Sequence, residues 1–314
     1  MRPRVGLVLG SGGATGGAFH AGVLAAIRDR TGWDARTADI IIGTSAGSIT
    51  GASLRSRLSP DDLFSRATGQ PVSAAGRLIL SRVRPGQARD PEPRTAAGRA
   101  GSGQLLRSYA RRPQSLRLGG LAAAVLPTGR ASTAGIADSV AQLARNRWPD
   151  QPLWAVSMRL IDGRRMVYGN GSDSAPIGSA VAASCAIPGY FAPVRINEAD
   201  HVDGGMYSAA NLDLLADYDL DLVIVSAPMA THSAFTKTLD LPFRQFLLRQ
   251  LAGEAKAVRA AGTRVVVFAP TPRDISVTGI NPMAPGREGS VARQVRTSTS
   301  ERIRQQNLLT ELAN

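Results

Sequence analysis

The sequence predicts an α/β fold, and three observations predict it. Short, continuously apolar runs at Val5–Leu9, Ile40–Ile42 and Leu222–Ser226 have the length and aliphatic character of buried strands. The first two pass directly into small residues and then into helical spacing, the strand, turn, helix order of an α/β protein. At 314 residues and 43% hydrophobic content, the chain is long enough to bury a sizeable core.

The elements follow in order. Val5–Leu9 ends at a glycine run, Gly10 to Gly17, after which Phe19, Val23, Leu24 and Ile27 at helical spacing predict a helix over Ala18–Arg30. The strand at Ile40 leads into Gly43-Thr44-Ser45-Ala46-Gly47, with a helix expected through Ile49 to Leu58. Ser59-Pro60-Asp61-Asp62 carries the proline and acidic signals of the next helix start. Leu153–Arg159 and Arg164–Tyr168, separated by Ile161-Asp162-Gly163, read as adjacent strands across an Asp-Gly turn. Ile177–Cys185 reads as a small-residue helix stopped by Pro188-Gly189, and a short strand, Val194–Ile196, precedes the alternating stretch around His201 and Asp203. A helix over Phe243–Ala261, a strand over Arg264–Ala269 and a polar helical tail from Val291 to Leu312 complete the chain, which has no internal repeat.

The net charge is +13, and Lys237 and Lys256 are the only lysines, so the basic charge is almost wholly arginine. Eleven arginines lie between Gly76 and Arg130 against two acids, Asp90 and Glu92. The Pro85–Gly103 part reads as a flexible loop, flanked by apolar pieces, Leu78–Leu80 and Leu116–Leu126, that predict short amphipathic helices. Such an insertion suits either a solvated surface loop or a cap that meets anionic lipid headgroups. Nucleic acid fits poorly, because aromatic content is only 5% and few aromatics interleave the basic stretch. One cysteine, Cys185, allows neither an internal disulfide nor a cysteine metal site. No apolar run reaches the ~20 residues of a membrane-spanning helix and none suits a signal peptide. The expectation is therefore a cytoplasmic chain, peripheral at the inner membrane face if it meets lipid.

The chemistry starts at Ser45. A Gly-x-Ser-x-Gly pentapeptide between strand and helix holds a serine on a sharp bend with its Oγ exposed, although the same residues also suit a small-residue turn with an N-cap serine. The glycine run at Gly10 aims backbone N–H groups at one point in front of a helix N-terminus, an anion site. It is not a phosphate-binding P-loop, because Gly17 and Ala18 stand where Lys and Ser or Thr are needed. It is not the dinucleotide fingerprint either, because Thr15 occupies the sixth place of Gly-x-Gly-x-x-Gly. An oxyanion hole remains, whose donors are worth roughly 3–4 kcal/mol each. For a base the chain offers His20, read as structural, His201 and His232, and also Asp203, which precedes Gly204 and Gly205 at a strand end.

These motifs, in this order and spacing, resemble the patatin-like phospholipase family. Gly10–Gly16 resembles its glycine-rich oxyanion motif, Gly43–Gly47 its nucleophile elbow, and Asp203-Gly204-Gly205 its catalytic Asp-Gly-Gly. Ala183-Ser184-Cys185-Ala186-Ile187-Pro188-Gly189-Tyr190-Phe191 resembles its Ala-Ser-x-Ala-x-Pro-x-x-Phe segment. The resemblance covers roughly residues 5–230 and leaves the arginine-rich stretch outside the matched motifs. It implies a three-layer α/β/α fold with a mostly parallel central sheet and an Arg-rich insertion. It also implies one catalytic domain over 1–314, with a cap-like insertion at about 76–130 and a strand/helix extension over 231–314.

For the site, the resemblance implies a Ser45–Asp203 dyad without an obligatory histidine. Gly12, Gly13 and Ala14 would supply the oxyanion amides, and neither metal nor cofactor would be needed. The substrate would be a lipid ester, a phospholipid, lysophospholipid or acylglycerol. The chain departs from the family at Thr15, where most members have arginine; if that arginine shapes the hole or holds a substrate phosphate, phospholipid preference or rate changes here. Two other readings stay open: a Ser-His-Asp esterase using His201 or His232, and a catalytically weakened lipid-binding or regulatory protein. The oligomeric state is not specified by the sequence.

Overall fold

The computed structural model describes residues 2–84, 101–230, 241–279, 283, 285–307 and 309–312. His232 and most of the expected Pro85–Gly103 loop lie outside them. Eight strands form one sheet: β1 (Val5–Leu9), β2 (Ile40–Thr44), β3 (Leu153–Arg159), β4 (Arg165–Tyr168), β5 (Val194–Ile196), β6 (Ala199–Asp203), β7 (Leu222–Ser226) and β8 (Arg264–Phe268). The hydrogen-bonded path is β5-β6-β3-β2-β1-β7-β8, with β4 also on β3. Strands β3, β2, β1, β7 and β8 are mutually parallel; β4, β5 and β6 pair antiparallel. The expected mostly parallel α/β sheet is therefore present. Its central strands β1, β2 and β7 are buried at every position, because helices cover both faces.

The two covers are unequal. Leu7, Leu9, Ile41, Ala155 and Ile224 pack against α1 (Gly13–Thr31), α2 (Ala46–Arg55), α3 (Pro60–Thr68), a helix α7 (Ala134–Leu143), α8 (Ile177–Ser184) and α11 (Glu288–Gln306). Val8, Ile42, Val156 and Val225 face a thinner layer, the turn Leu212–Leu215 and α9 (Leu241–Ala260). That second layer is extended by α5 (Gly103–Arg111) and α6 (Leu118–Val125), which cover Met158, Leu160 and Val202. Of two smaller helices, α4 (Ala74–Leu80) packs Ile79 against Leu58 and Leu143, and α10 (Pro272–Thr278) is tied to α11 by Ser298 Oγ–H donating to Asp274 Oδ1 at 2.9 Å. The expected start at Ser59 is a full capping box with Asp62.

One boundary differs from expectation. Helix α1 begins at Gly13 rather than Ala18, so the second half of the glycine run is its first turn, closed by Gly16 N–H donating to Gly12 O at 2.8 Å. Glycine is a poor helix former, but close packing overrides propensity here. A Cβ on Gly12 would sit 2.7 Å from Pro228 Cγ, and one on Gly16 3.6 Å from the Ala46 Cβ of α2. No helix among the described residues is long and apolar enough to cross a membrane.

Candidate active site

The site lies where β1 and β2 end and α1 and α2 begin, the carboxyl edge of the parallel strands. Ser45 joins β2 to α2 with φ +55° and ψ −122°, a left-handed backbone that a side chain rarely adopts. Such a conformation costs on the order of 1–3 kcal/mol and persists only where neighbours over-determine it. They do so here. Ser45 N–H donates to Ser184 Oγ at 2.9 Å, and Ser45 C=O accepts from Ser48 N–H at 2.8 Å and from Ser48 Oγ–H at 2.6 Å. The flanking glycines are required by space. A Cβ on Gly43 would lie 2.5 Å from Ser48 Cα, and one on Gly47 1.9 Å from Leu9 O.

Asp203 reaches the same place through the sheet. On β3, Ala155 and Val156 pair with β2 on one side and β4 on the other, whereas Ser157 and Met158 pair with β6 and β4. Strands β2 and β6 therefore share one edge of β3 and meet end to end, with Thr44 opposite Val156 and Asp203 opposite Ser157. That abutment joins residues 158 positions apart in sequence, Ser45 and Asp203. Asp203 N–H donates to Ala186 O at 2.9 Å, and its Oδ1 accepts from Gly205 N–H at 2.7 Å. Burial pushes the Asp203 carboxyl up to about 6, against hydrogen bonding from the Ser45 hydroxyl and the Gly205 N–H. Gly204 passes so close to β3 that a Cβ would lie 2.3 Å from Val156 O.

A third segment supports both residues. The end of α8 and the turn after it supply Ser184 Oγ to the Ser45 amide and Ala186 O to the Asp203 amide. Between them Cys185 is buried, with Sγ 3.9 Å from Ser48 Oγ, and burial raises its thiol well above the usual range. The thiol is thus a neutral packing group behind the serine.

The glycine run approaches from β1. Gly10 N–H donates to Ser226 O at 2.9 Å and Ser11 N–H to Ala209 O at 2.8 Å. Gly13 has φ +61°, and the amides of Gly13 and Ala14, in the first turn of α1, have no intrahelical acceptor. The run also meets the Asp-Gly-Gly turn: a Cβ on Gly205 would be 3.0 Å from Asp203 Oδ1 and 3.1 Å from Ser11 Oγ. Thr15 is buried in that first turn.

The histidines divide. His20 is fully buried under the glycine run, its Nε2 2.8 Å from Gly10 O and its Nδ1 2.8 Å from Ser226 Oγ. Because a carbonyl only accepts, Nε2 carries the proton and Nδ1 accepts from the Ser226 hydroxyl. Desolvation lowers its pKa to about 4, so it is a neutral brace. His201 shares a sheet face with Asp203, as its spacing predicts, but its Nδ1 lies 3.1 Å from Ala199 O and its ring stands edge-on to Tyr168 at 6.1 Å. Among the described residues its Nε2 has no hydrogen-bond partner.

Two further braces carry no sequence signal. Asn211 Nδ2 donates to Thr44 Oγ1 at 3.1 Å and Ser208 O at 2.6 Å, tying the residue before Ser45 to the loop after the Asp-Gly-Gly turn. Glu254, on α9, accepts from Ser208 Oγ at 2.5 Å and Leu212 N–H at 2.9 Å, and burial raises it to about 7. Among the described residues, no group of three His, Cys, Asp or Glu side chains is placed to hold a metal ion.

The family model described as patatin-like phospholipase matches residues 7–216. Solved structures similar to the chain include VipD from Legionella pneumophila, 13% identical, covering 97% of this chain and 67% of that one with a TM-score of 0.43. The type III effector protein ExoU is 18% identical, covering 98% of this chain and 54% of that one with a TM-score of 0.36. The chain thus spans about half the length of ExoU. No curated protein matches it significantly.

Proposed function

We propose that this chain, which belongs to the patatin-like phospholipase family, hydrolyses carboxylic esters of phospholipids, lysophospholipids or acylglycerols with Ser45 as nucleophile and Asp203 as its base. The observation that supports the reading is the meeting of β2 and β6 on one edge of β3, which sets the Ser45 hydroxyl against a buried carboxyl held near 6. At neutral pH that carboxyl is mostly ionised yet far more basic than an exposed aspartate, as a general base must be.

In the first half-reaction Ser45 Oγ attacks the ester carbonyl and its proton passes to Asp203. The oxyanion takes hydrogen bonds from the Gly12, Gly13 and Ala14 amides at the positive end of α1. Collapse breaks the ester bond, and the departing alcohol takes the proton from Asp203. Water then attacks the acyl-serine, giving a proton to Asp203, and the second collapse returns that proton to Ser45 Oγ and releases the fatty acid. His20, neutral beneath Gly10, keeps the oxyanion turn in place and takes no proton.

The test uses a soluble chromogenic acyl ester. Ser45→Ala and Asp203→Ala should each lower turnover by about 10²–10⁴ or more while melting cooperatively, and chelators should leave the rate unchanged. Retained activity in either variant rejects the dyad. Turnover in His201→Ala should stay near normal; its loss would favour a serine, histidine, aspartate arrangement.

A further inference from the structure

The helical insertion between α4 and α7 is built inside out. Helix α6 turns Gly120, Ala123 and Ala124 inward against Leu105 and Tyr109 of α5, and leaves Leu118, Val125 and the following Leu126 exposed. An amphipathic helix in a water-facing position does the reverse. Of the ten large hydrophobic side chains exposed among the described residues, five belong to this insertion: Leu106, Leu116, Leu118, Val125 and Leu126. A sixth, Tyr190, lies on the segment it is stitched to, through Ala131 N–H donating to Tyr190 O at 3.1 Å.

The surroundings specify an occupant. Residues 101–131 contain five arginines, at 107, 111, 112, 117 and 130, and no acidic residue. Arg107, Arg111 and Arg130 are exposed and have no carboxylate partner among the described residues. Arg117 lies 4.1 Å over the Tyr207 ring and donates to its hydroxyl at 3.0 Å, which fixes one cation at the border of the apolar face. The face also touches the catalytic turn: a Cβ on Gly119 of α6 would be 2.3 Å from Met206 O, directly after Gly205, and Leu126 Cδ1 lies 4.0 Å from the corresponding position on Gly189. Exposed aliphatic side chains rimmed by arginines match the acyl boundary and the anionic headgroups of a bilayer together.

We propose that α5, α6 and Tyr190 form a docking face for an anionic phospholipid bilayer, with Leu116, Leu118, Val125 and Leu126 entering the acyl boundary and Arg107, Arg111, Arg117 and Arg130 meeting headgroups. The proposal rests on the hydrolase reading for its purpose, since it seats the lipid surface beside the Asp203 turn, but its test does not depend on hydrolysis.

The experiment is co-sedimentation of the full chain carrying Ser45→Ala with vesicles of phosphatidylcholine alone or with phosphatidylglycerol. Binding should appear with phosphatidylglycerol and weaken steeply with salt. Adding Leu118→Ser, Val125→Ser and Leu126→Ser should weaken it by about a hundredfold or more, and Arg107→Gln with Arg111→Gln by about tenfold or more. The triple serine change in the otherwise native chain should leave soluble-ester turnover and melting unchanged, showing that it folds. A separate Val125→Trp variant should blue-shift its emission on anionic vesicles. The proposal is overturned if the parent fails to pellet with anionic vesicles, if the serine variant pellets equally, or if the triple change only converts a dimer to a monomer. With the emission of the three native tryptophans subtracted, a Val125→Trp signal already blue without vesicles and unmoved by them would mean that the chain itself covers the face, and would equally overturn it. Vesicle binding without any ester turnover would reject the hydrolase reading and leave this one standing.

Discussion

Ser45 and its glycines show how much a single Cβ decides. A Cβ on Gly47, at the start of α2, would lie 1.9 Å from Leu9 O, whereas one on Gly17, near the start of α1, would meet nothing within 4 Å. Gly47→Ala should therefore lose several kcal/mol, beyond the ~1–3 kcal/mol of ordinary overpacking, because backbone cannot yield as a side chain does. Gly17→Ala should gain about 0.5–1 kcal/mol from helix propensity. Paired thermal melts check both signs. At this scale the sequence showed where Ser45 and Asp203 sit, each at a strand end beside glycines that the space around its turn requires, while their roles came from the resemblance. It was silent on Asn211 and Glu254, whose partners, Thr44 and Ser208, are brought near only by tertiary packing.

At the scale of elements, the segment after α8 links serine and aspartate. Ser184→Ala would leave the Ser45 amide buried without its acceptor, at a cost of about 1–3 kcal/mol, and would loosen the left-handed turn that aims Oγ. Turnover of a soluble ester should fall with KM little changed, and Ser184→Thr, which keeps the hydroxyl, should recover part of it; an unchanged kcat in Ser184→Ala would remove the segment from catalysis. This segment was visible in the sequence as a motif without a role, because a backbone-to-side-chain hydrogen bond 139 residues apart has no local signature. Helix α1 illustrates the opposite failure. Its glycines argued for a loop on propensity, yet contact with Pro228 and Ala46 made them helix. The exposure of Leu118 and Val125 on α6 was equally hidden, since Leu-Gly-Gly-Leu-Ala-Ala-Ala-Val is apolar all round and does not say which side faces in.

For the whole molecule, the pairing of β2 and β6 one after the other along a single edge of β3 is what brings two distant motifs to one place, and strand pairing was not readable from strand content. The arrangement has a stability cost with a definite sign. Asp203 binds its proton more tightly in the folded chain, at about 6, than an unfolded aspartate does at 3.8. Its favourable contribution is thus complete below the unfolded value and lost as pH rises through about 6. Asp203→Asn should therefore match the native chain in stability near pH 4 and exceed it at pH 8 by about 3 kcal/mol, with activity abolished; urea melts across that range check it. His20 acts oppositely, since a buried neutral imidazole lowered to about 4 stabilises above its unfolded value of 6.5 and loses that contribution as pH falls through 4.

The central claim is that Asp203 is the base for Ser45, and the rate at which a fluorophosphonate labels the chain tests it most directly. The native protein should be labelled on Ser45 alone, at a rate rising with pH through an inflection near 6 and flat above it, and Asp203→Asn should label at least a hundredfold more slowly with that inflection gone. Labelling at another residue, or the same inflection persisting in Asp203→Asn, would contradict the claim.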